Sequence, residues 1–315
     1  MRNILFRFIG GRVNNQLQAV IFNIARCSLH DGAGLRTVVY FKGCGMRCKW
    51  CHNPESWAAE PELLFYSDKC IGCGRCLEHC PQGVHYSNGK SHLLDRSKCV
   101  LCGKCADLCP SGALELCGRR MTVEDVLQEI LKDRHFYIRS GGGVAFSGGE
   151  CLLWPEFMQE MMKACIKENI NIAIETALNV GWERVYAASQ YAHSFFCDIK
   201  HPDSRIHKRL TGVGNELILD NLKRLSEVHN DITVRVPLIP GINDGDEVLT
   251  EIAHIVNELR GVRGIELLKY NNLALGKGRA LGRKLPGFGE PQIEEFMDRK
   301  RAVVREALSK DKAVL

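Results

Sequence analysis

The sequence predicts an α/β fold in which six strand–helix units form an open, partial (β/α)6 barrel. Beyond about residue 120, short apolar segments alternate with longer segments of helical periodicity, a pattern that indicates a parallel sheet with right-handed crossovers. Six units are too few to close an eight-stranded barrel. A cysteine-rich block of different composition follows the first strand, so we expect an inserted domain there.

Each predicted strand is a short run rich in β-branched or aromatic residues. The six runs span residues 36–42, 144–146, 171–176, 193–200, 232–239 and 265–270. Helices are predicted to begin near Thr122 and at Pro155, to cover residues 181–191, 215–228 and 245–260, and to begin again at Pro291. Thr122 is a candidate N-cap because Asp125 follows it three residues later.

The composition indicates a globular chain with one large core and a smaller module. The 315 residues are 45% hydrophobic and 25% charged, and the formal net charge of +5 mixes both signs, which argues against a nucleic-acid partner. We expect neither a membrane span nor a signal peptide, because arginines interrupt the apolar start and no apolar run is long enough. The expected organisation is an extension over 1–20, a core over 21–64 and 118–315, and an insert over 65–117.

Three cysteines occupy the loop directly after the first strand. Cys44, Cys48 and Cys51 have x3 and x2 spacing. A 4Fe–4S cluster normally takes one thiolate per iron, so three thiolates would leave one iron open to a substrate. Zinc and a disulfide are the alternatives. His52 could serve as a fourth zinc ligand, but adjacent residues rarely both reach one tetrahedral ion.

The insert contains two copies of one cysteine pattern, 29 residues apart. Each copy resembles the C-x2-C-x2-C-x3-C-P run of bacterial ferredoxins, in which the fourth cysteine ligates the other cluster. The two ligand sets are therefore expected to be Cys70, Cys73, Cys76 and Cys109, and Cys80, Cys99, Cys102 and Cys105. Two independent zinc ribbons are the alternative. Eleven of the sixteen cysteines lie in metal-ligand patterns, which favours a reducing cytoplasm over a disulfide-rich secreted chain.

Polar or glycine residues follow the ends of most predicted strands. Because active sites of parallel sheets lie at the carboxyl ends of the strands, we expect these residues to meet at one mouth. Each of them alone could simply mark a solvated loop. The residues are Gly148, Gly149 and Glu150 after the second strand, Glu175 and Thr176 at the third, Asp198 and Lys200 at the fourth, and Asn271 at the sixth.

The order of the motifs resembles that of the glycyl radical enzyme activating enzymes, a pyruvate formate-lyase activating enzyme-like family of the radical S-adenosylmethionine (SAM) superfamily. The motifs are H-D-G-x-G-x-R-T at 30–37, the cysteine loop, the two-cluster insert, S-G-G-E at 147–150, D-x-K at 198–200 and R-V-P-L-I-P-G at 235–241. The resemblance covers about residues 21 to 280 and implies a partial radical SAM barrel with an inserted ferredoxin-like domain.

What the resemblance implies is a radical reaction. In that family SAM fills the open iron, one electron cleaves it, and the 5′-deoxyadenosyl radical takes hydrogen from a glycine of a partner enzyme. The implied SAM contacts are Trp50, Cys51, His52, Gly148, Gly149, Glu150, Asp198, Ile199, Lys200 and Asn271. A monovalent cation would be held by Glu175, Thr176 and Asp198. Asn271 stands where relatives commonly carry histidine, although an amide can still hydrogen-bond.

The resemblance also implies three 4Fe–4S clusters, a glycyl radical enzyme as partner, and flavodoxin or ferredoxin as electron donor. The chain is expected to be a cytoplasmic monomer. Two other function classes stay open from the sequence. One is a radical SAM enzyme that acts on a small molecule, and the other is an iron–sulfur electron-transfer module without SAM chemistry.

Overall fold

The computed structural model describes residues 17–89 and 91–315. Most of the extension predicted over residues 1–20 lies outside this range. The strands within it are β1 (Gln18–Ser28), β2 (Arg36–Phe41), β3 (Glu62–Phe65), β4 (His85–Ser87), β5 (His92–Leu94), β6 (Leu114–Cys117), β7 (Arg119–Thr122), β8 (Gly143–Gly148), β9 (Asn171–Thr176), β10 (Ser194–Asp198), β11 (Ile232–Pro237), β12 (Val262–Leu268) and β13 (Ala313–Val314).

Eleven α-helices lie in the same described residues. They are α1 (Arg75–His79), α2 (Lys104–Asp107), α3 (Val123–Leu131), α4 (Arg134–Ser140), α5 (Pro155–Lys167), α6 (Trp182–Ser189), α7 (Ser204–Thr211), α8 (Glu216–Val228), α9 (Asp246–Asn257), α10 (Ala274–Ala280) and α11 (Glu294–Ala307). None of these helices is long and apolar enough to cross a membrane.

The main sheet contains the six parallel strands that the sequence predicts. Its nine strands run in the order β13-β12-β11-β10-β9-β8-β2-β1-β7, and the stretch from β12 to β2 is parallel throughout. The edges β13 and β7 have no further partner strand among the described residues, so the sheet is open as expected. Carboxyl ends of all six strands therefore lie at one edge.

Two antiparallel strands extend this sheet beyond the predicted six. Strand β1 pairs with β2 and with β7, placing Gln18 opposite Thr122. It begins three residues before the core boundary expected at residue 21. Its register shifts twice against β2, which breaks the regular alternation by which strands are found in a sequence.

The core lies between the sheet and its covering helices. Phe41 at the end of β2 meets Phe146 and Phe157 edge to face, with ring centroids 6.1 and 5.8 Å apart. The central strands are buried on both faces, which explains their nearly continuous apolar sequences. The predicted cap of α3 is confirmed, because Thr122 and Asp125 exchange side-chain and backbone hydrogen bonds.

The region of the predicted insert repeats its backbone as well as its cysteines. Helix α2 lies 29 residues after α1. With the same offset, β6 corresponds to β4 and β5 corresponds to β3, and both halves pair these strands antiparallel. Both helices begin after a left-handed glycine, Gly74 with φ 75° and Gly103 with φ 77°. These two helices also contact each other, so the halves pack as a pair.

Candidate functional site

The loop of Cys44, Cys48 and Cys51 is held by backbone hydrogen bonds from two directions. The amide of Cys44 donates to the carbonyl of Trp57 at 3.3 Å. The amides of Arg47 and Lys49 donate to the last residues of α7, at 2.7 Å to Thr211 and 3.0 Å to Leu210. The sequence did not reveal α7, because the helix is short and only two of its residues, Ile206 and Leu210, are apolar.

The glycines after β8 build a second wall directly on this loop. Gly149 donates its amide to the carbonyl of Phe41 at 2.9 Å, and Glu150 donates to the carbonyl of Gly43 at 2.8 Å. Gly148 has φ +117°, a conformation that residues with a Cβ rarely adopt. The predicted approach of Gly148, Gly149 and Glu150 to the cysteine loop is therefore present in the structure.

The three thiols have the donor chemistry of a metal site. Burial raises the pKa of Cys44 to about 11 and that of Cys48 to about 12. Amide or indole hydrogens already point at two of the sulfurs, from Met46 to Cys44 at 3.4 Å, and from Trp57 and Asn53 to Cys51. A metal that holds the thiolate form offsets the cost of burying it, and N–H donors to coordinated sulfur are typical second partners. The residues present therefore fit an iron–sulfur cluster.

Asp198 and Lys200 lie beside these cysteines as an ion pair in which the lysine is buried and the aspartate partly exposed. The ammonium of Lys200 contacts the carboxylate of Asp198, and only 8% of Lys200 is exposed. Burial alone would lower the pKa of Lys200, but the charges of Asp198, Cys48 and Cys44 outweigh it and raise the pKa. This cation thus faces the position where buried thiolates and an anionic ligand would concentrate negative charge.

Glu150 is buried and accepts hydrogen bonds from three neighbouring donors, which leaves part of its carboxylate able to accept another. The hydroxyl of Thr176 reaches its two carboxylate oxygens at 2.8 and 3.0 Å, and the amides of Leu152 and Ala177 each donate at 3.2 Å. Burial still raises the pKa of Glu150 to about 7. The ends of β8 and β9 are joined through this carboxylate.

Glu175 is predicted to bind a monovalent cation, but in the structure its carboxylate has protein partners. Its carboxylate accepts hydrogen bonds from Arg235 at 2.7 Å and from Ser147 at 2.6 Å. Burial raises the pKa of Glu175 to about 7, Asp31 raises it further by contact and charge, and the charge of Arg235 opposes both. The carbonyl of His30 accepts from Arg235 at 2.6 Å, so the H-D-G loop is fixed to β11. The sequence did not reveal this role of Arg235.

The cation site itself stays a prediction. Each of its three predicted side chains has a protein partner in the structure. Glu175 bonds Arg235, Thr176 bonds Glu150, and Asp198 pairs with Lys200.

The remaining predicted SAM contacts lie around the same mouth. Trp50 meets Phe288 edge to face, and Phe288 meets Tyr270, the neighbour of Asn271, in the same way. Ile199 is buried and donates its amide to the carbonyl of Arg235 at 3.0 Å. The His52 carbonyl accepts from Lys277 at 3.4 Å. Asn271 accepts the amide of Leu273 at 3.4 Å, a local turn contact.

A separate cavity, partly open to solvent, lies among the cysteines of the insert. Four of its lining residues are one complete predicted ligand set, Cys80, Cys99, Cys102 and Cys105. In the other set, Cys70 and Cys76 lie beside a histidine, His92, which the cysteine spacing does not predict. Across the described residues, the sixteen cysteines form no disulfide.

Comparison with known proteins identifies the class that this barrel and cysteine loop define. The family model of the radical SAM superfamily matches residues 38–252, more than half of the chain. Streptococcus suis SuiB, solved with its precursor peptide SuiA, superposes with a TM-score of 0.53 at 11% identity, over 88% of this chain and 48% of SuiB. At that identity the likeness shows the fold alone.

Curated relatives narrow the class. The choline trimethylamine-lyase activating enzyme of Oleidesulfovibrio alaskensis is 40% identical over 91% of this chain and 95% of that protein. The (2S)-3-sulfopropanediol dehydratase activating enzyme of Klebsiella oxytoca is 42% identical over 86% of this chain and 87% of that protein. The chain therefore belongs to the radical SAM superfamily and, within it, to the glycyl radical enzyme activating enzymes. Its cofactors include SAM and a 4Fe–4S cluster, and its partner is a glycyl radical enzyme.

Proposed function

We propose that Cys44, Cys48 and Cys51 hold the SAM-cleaving cluster and that residues 65–117 carry two further 4Fe–4S clusters. The first part is supported by the meeting of three segments at one place. The cysteine loop, the Gly148–Glu150 turn and the Asp198–Lys200 pair come from three separate strands and adjoin one another at a single sheet edge.

The chain's own residues position SAM in this proposal. Lys200 meets the carboxylate of SAM, because its ammonium carries the opposite charge. The carboxylate of Glu150 and the backbone at Gly149 meet the amino group of SAM. Trp50, Cys51, His52, Ile199 and Asn271 shape the rest of the pocket, and a monovalent cation sits near Asp198. When bound, the cluster supplies the electron that cleaves SAM and so starts hydrogen removal from the partner's glycine.

The insert serves as an electron conduit in the proposal. Its support is the cavity bounded by Cys80, Cys99, Cys102 and Cys105, together with the internal repeat that predicts an equivalent site for Cys70, Cys73, Cys76 and Cys109. Cys73 and Cys102 are exposed, which would bring each cluster near the surface where a donor docks. We propose flavodoxin or ferredoxin as that donor, acting on a monomer in the reducing cytoplasm.

The test is anaerobic incubation of the reconstituted chain with SAM, a reductant and the glycyl radical enzyme encoded beside it. Electron paramagnetic resonance (EPR) is expected to show a glycyl radical, and Cys48→Ala is expected to abolish it. Cys27→Ser changes an exposed cysteine outside the three patterns and should retain the signal. Intact clusters without any glycyl signal would contradict the assignment. Formation of 5′-deoxyadenosine that needs a metabolite instead of a protein would favour a small-molecule enzyme.

A further inference from the structure

The two halves of the insert differ at one position beside the cysteines. Strand β5 corresponds to β3 by the 29-residue offset, which pairs His92 with Leu63. The strand registers agree with this correspondence. His92 lies opposite Ser87, and Leu63 lies opposite Leu116, which is the residue 29 positions after Ser87. An imidazole in one half thus replaces an isobutyl group in the other.

His92 lies between two of the cysteines. Its Nδ1 is 3.8 Å from the Sγ of Cys70, and its Nε2 is 3.7 Å from the Sγ of Cys76. Both are distances at which a nitrogen can donate a hydrogen bond to sulfur. Phe65 packs on the ring with centroids 4.5 Å apart and limits its rotation.

A second histidine fixes the orientation of the first. The Nδ1 of His85 is 3.0 Å from the Nε2 of His92, and 95% of His85 is buried. A neutral imidazole carries one N–H. If His85 donates to Nε2 of His92, the hydrogen of His92 must be on Nδ1, where it points at Cys70.

The equivalent place in the other half is apolar. Leu63 and Leu116 line the cavity of Cys80, Cys99, Cys102 and Cys105. His85 also lines it, but the hydrogen of His85 is on Nδ1, directed at His92 and away from these cysteines. A leucine side chain has no hydrogen to donate to sulfur. Hydrogen bonds to cluster sulfurs stabilise the added negative charge of the reduced state and so raise the reduction potential.

We propose that His92, oriented by His85, donates a hydrogen bond from Nδ1 to the Cys70 thiolate of the cluster on Cys70, Cys73, Cys76 and Cys109. This cluster then has a higher reduction potential than its apolar counterpart and is reduced first. The inference rests on the proposed function, in which the insert holds two clusters. His92 and His85 are positioning residues, acting through the cysteines.

The test is an anaerobic redox titration followed by EPR, in a chain whose SAM cluster is removed by Cys44→Ala, Cys48→Ala and Cys51→Ala together. Only the two insert clusters then contribute. His92→Leu is expected to lower the potential of one cluster and leave the other unchanged. Leu63→His is expected to raise the reduction potential of the other cluster instead. His92→Gln retains an N–H and should restore part of the lost potential.

Each outcome decides a separate point. If iron analysis finds too little iron for two clusters, both the two-cluster insert and this inference are wrong. If both clusters are present and His92→Leu leaves both potentials unchanged, only the inference about His92 is wrong. Pulsed EPR with 15N-histidine should show a weak nitrogen coupling. A strong coupling, as given by nitrogen bound to iron, would make His92 a ligand and overturn its role as a donor.

Discussion

Gly149 lies so close to Gly43 that a Cβ at position 149 would stand 2.3 Å from the carbonyl oxygen of Gly43. The same oxygen accepts the amide of Glu150 at 2.8 Å. The end of β8 is thus attached to the cysteine loop by backbone alone. Any side chain at position 149 would have to push this loop away, because neither backbone segment can rotate aside as a side chain can.

Gly149→Ala should therefore disturb the cysteine loop. Overpacking of this kind costs about 1–3 kcal/mol of the free energy of unfolding, and movement of the loop should also weaken SAM binding. Gly245→Ala is the matched control, because a Cβ there would meet open space. The measurements are chemical denaturation and the change that SAM causes in the cluster EPR spectrum. Equal behaviour of the two variants would contradict the described contact.

Glu150 predicts a pH dependence of SAM binding. Burial raises its pKa from the ordinary 4.5 to about 7, so its carboxylate is charged above that pH and protonated below it. The charged form would attract the amino group of SAM. Affinity should therefore be complete above about pH 7 and fall as the pH drops through that value, by up to roughly tenfold per pH unit.

Glu150→Gln should flatten this profile and weaken binding at high pH by roughly 10- to 100-fold, the value of a hydrogen bond to a charged group. The pKa of Glu175 is raised to about the same value, so the variant is needed to assign the effect. Glu156→Gln, on the exposed face of α5, is the control. The dissociation constant of SAM is measured by titration across the pH range. A profile that keeps its slope in Glu150→Gln would show that another group titrates.

The central sheet could be predicted because each strand carries its signal locally. The runs ending at Phe41 and Thr176 are apolar and β-branched, and their polar ends mark the carboxyl edge of a parallel sheet. The same rule predicts from the sequence that Lys200 and Glu150 lie at one edge of the sheet. Residues 36–41 and 171–176 of the structure differ from the predicted runs by at most one residue.

Contacts between distant segments could not be predicted in this way. Arg235 bonds Glu175 and the His30 carbonyl, 60 and 205 residues away, and no local pattern selects such partners among the other charged residues. Strand β1 is irregular, and α7 is short with only two apolar residues, Ile206 and Leu210. His92 was passed over because one histidine in a loop-rich segment has no spacing signal.

Lys200→Gln tests the cation beside the cysteine loop. The variant removes the charge that faces Cys48 and Asp198 and leaves Asp198 without its ion-pair partner. Since the lost contact to the SAM carboxylate is a charged one, affinity should fall by roughly 10- to 100-fold while the cluster still assembles. Lys208→Gln, on the exposed side of α7, should bind normally. Iron content and SAM titration together separate loss of the cluster from loss of binding. An unchanged affinity in Lys200→Gln would remove this residue from the proposed pocket.

The last prediction concerns Lys42, a buried cation next to the cysteine loop. Lys42 is fully buried, and its ammonium contacts the carboxylate of Glu62 at 3.0 Å and the Glu55 carbonyl at 2.5 Å. Arg283 also pairs with Glu62. Removing one partner of a buried pair leaves an uncompensated charge, so Glu62→Gln should lower the free energy of unfolding by about 3 kcal/mol.

The chain offers a matched surface pair for this prediction. Glu60 pairs with Arg120 at 2.6 Å, but its side chain is 64% exposed against 22% for Glu62. Exposed pairs contribute about 1 kcal/mol or less, so Glu60→Gln should hardly change the free energy of unfolding. Anaerobic chemical denaturation of both variants measures the difference. Because Lys42 lies two residues before Cys44, Glu62→Gln should also slow cluster reconstitution, whereas Glu60→Gln should not. Equal stability of the two variants would show that Lys42 finds another counter-charge.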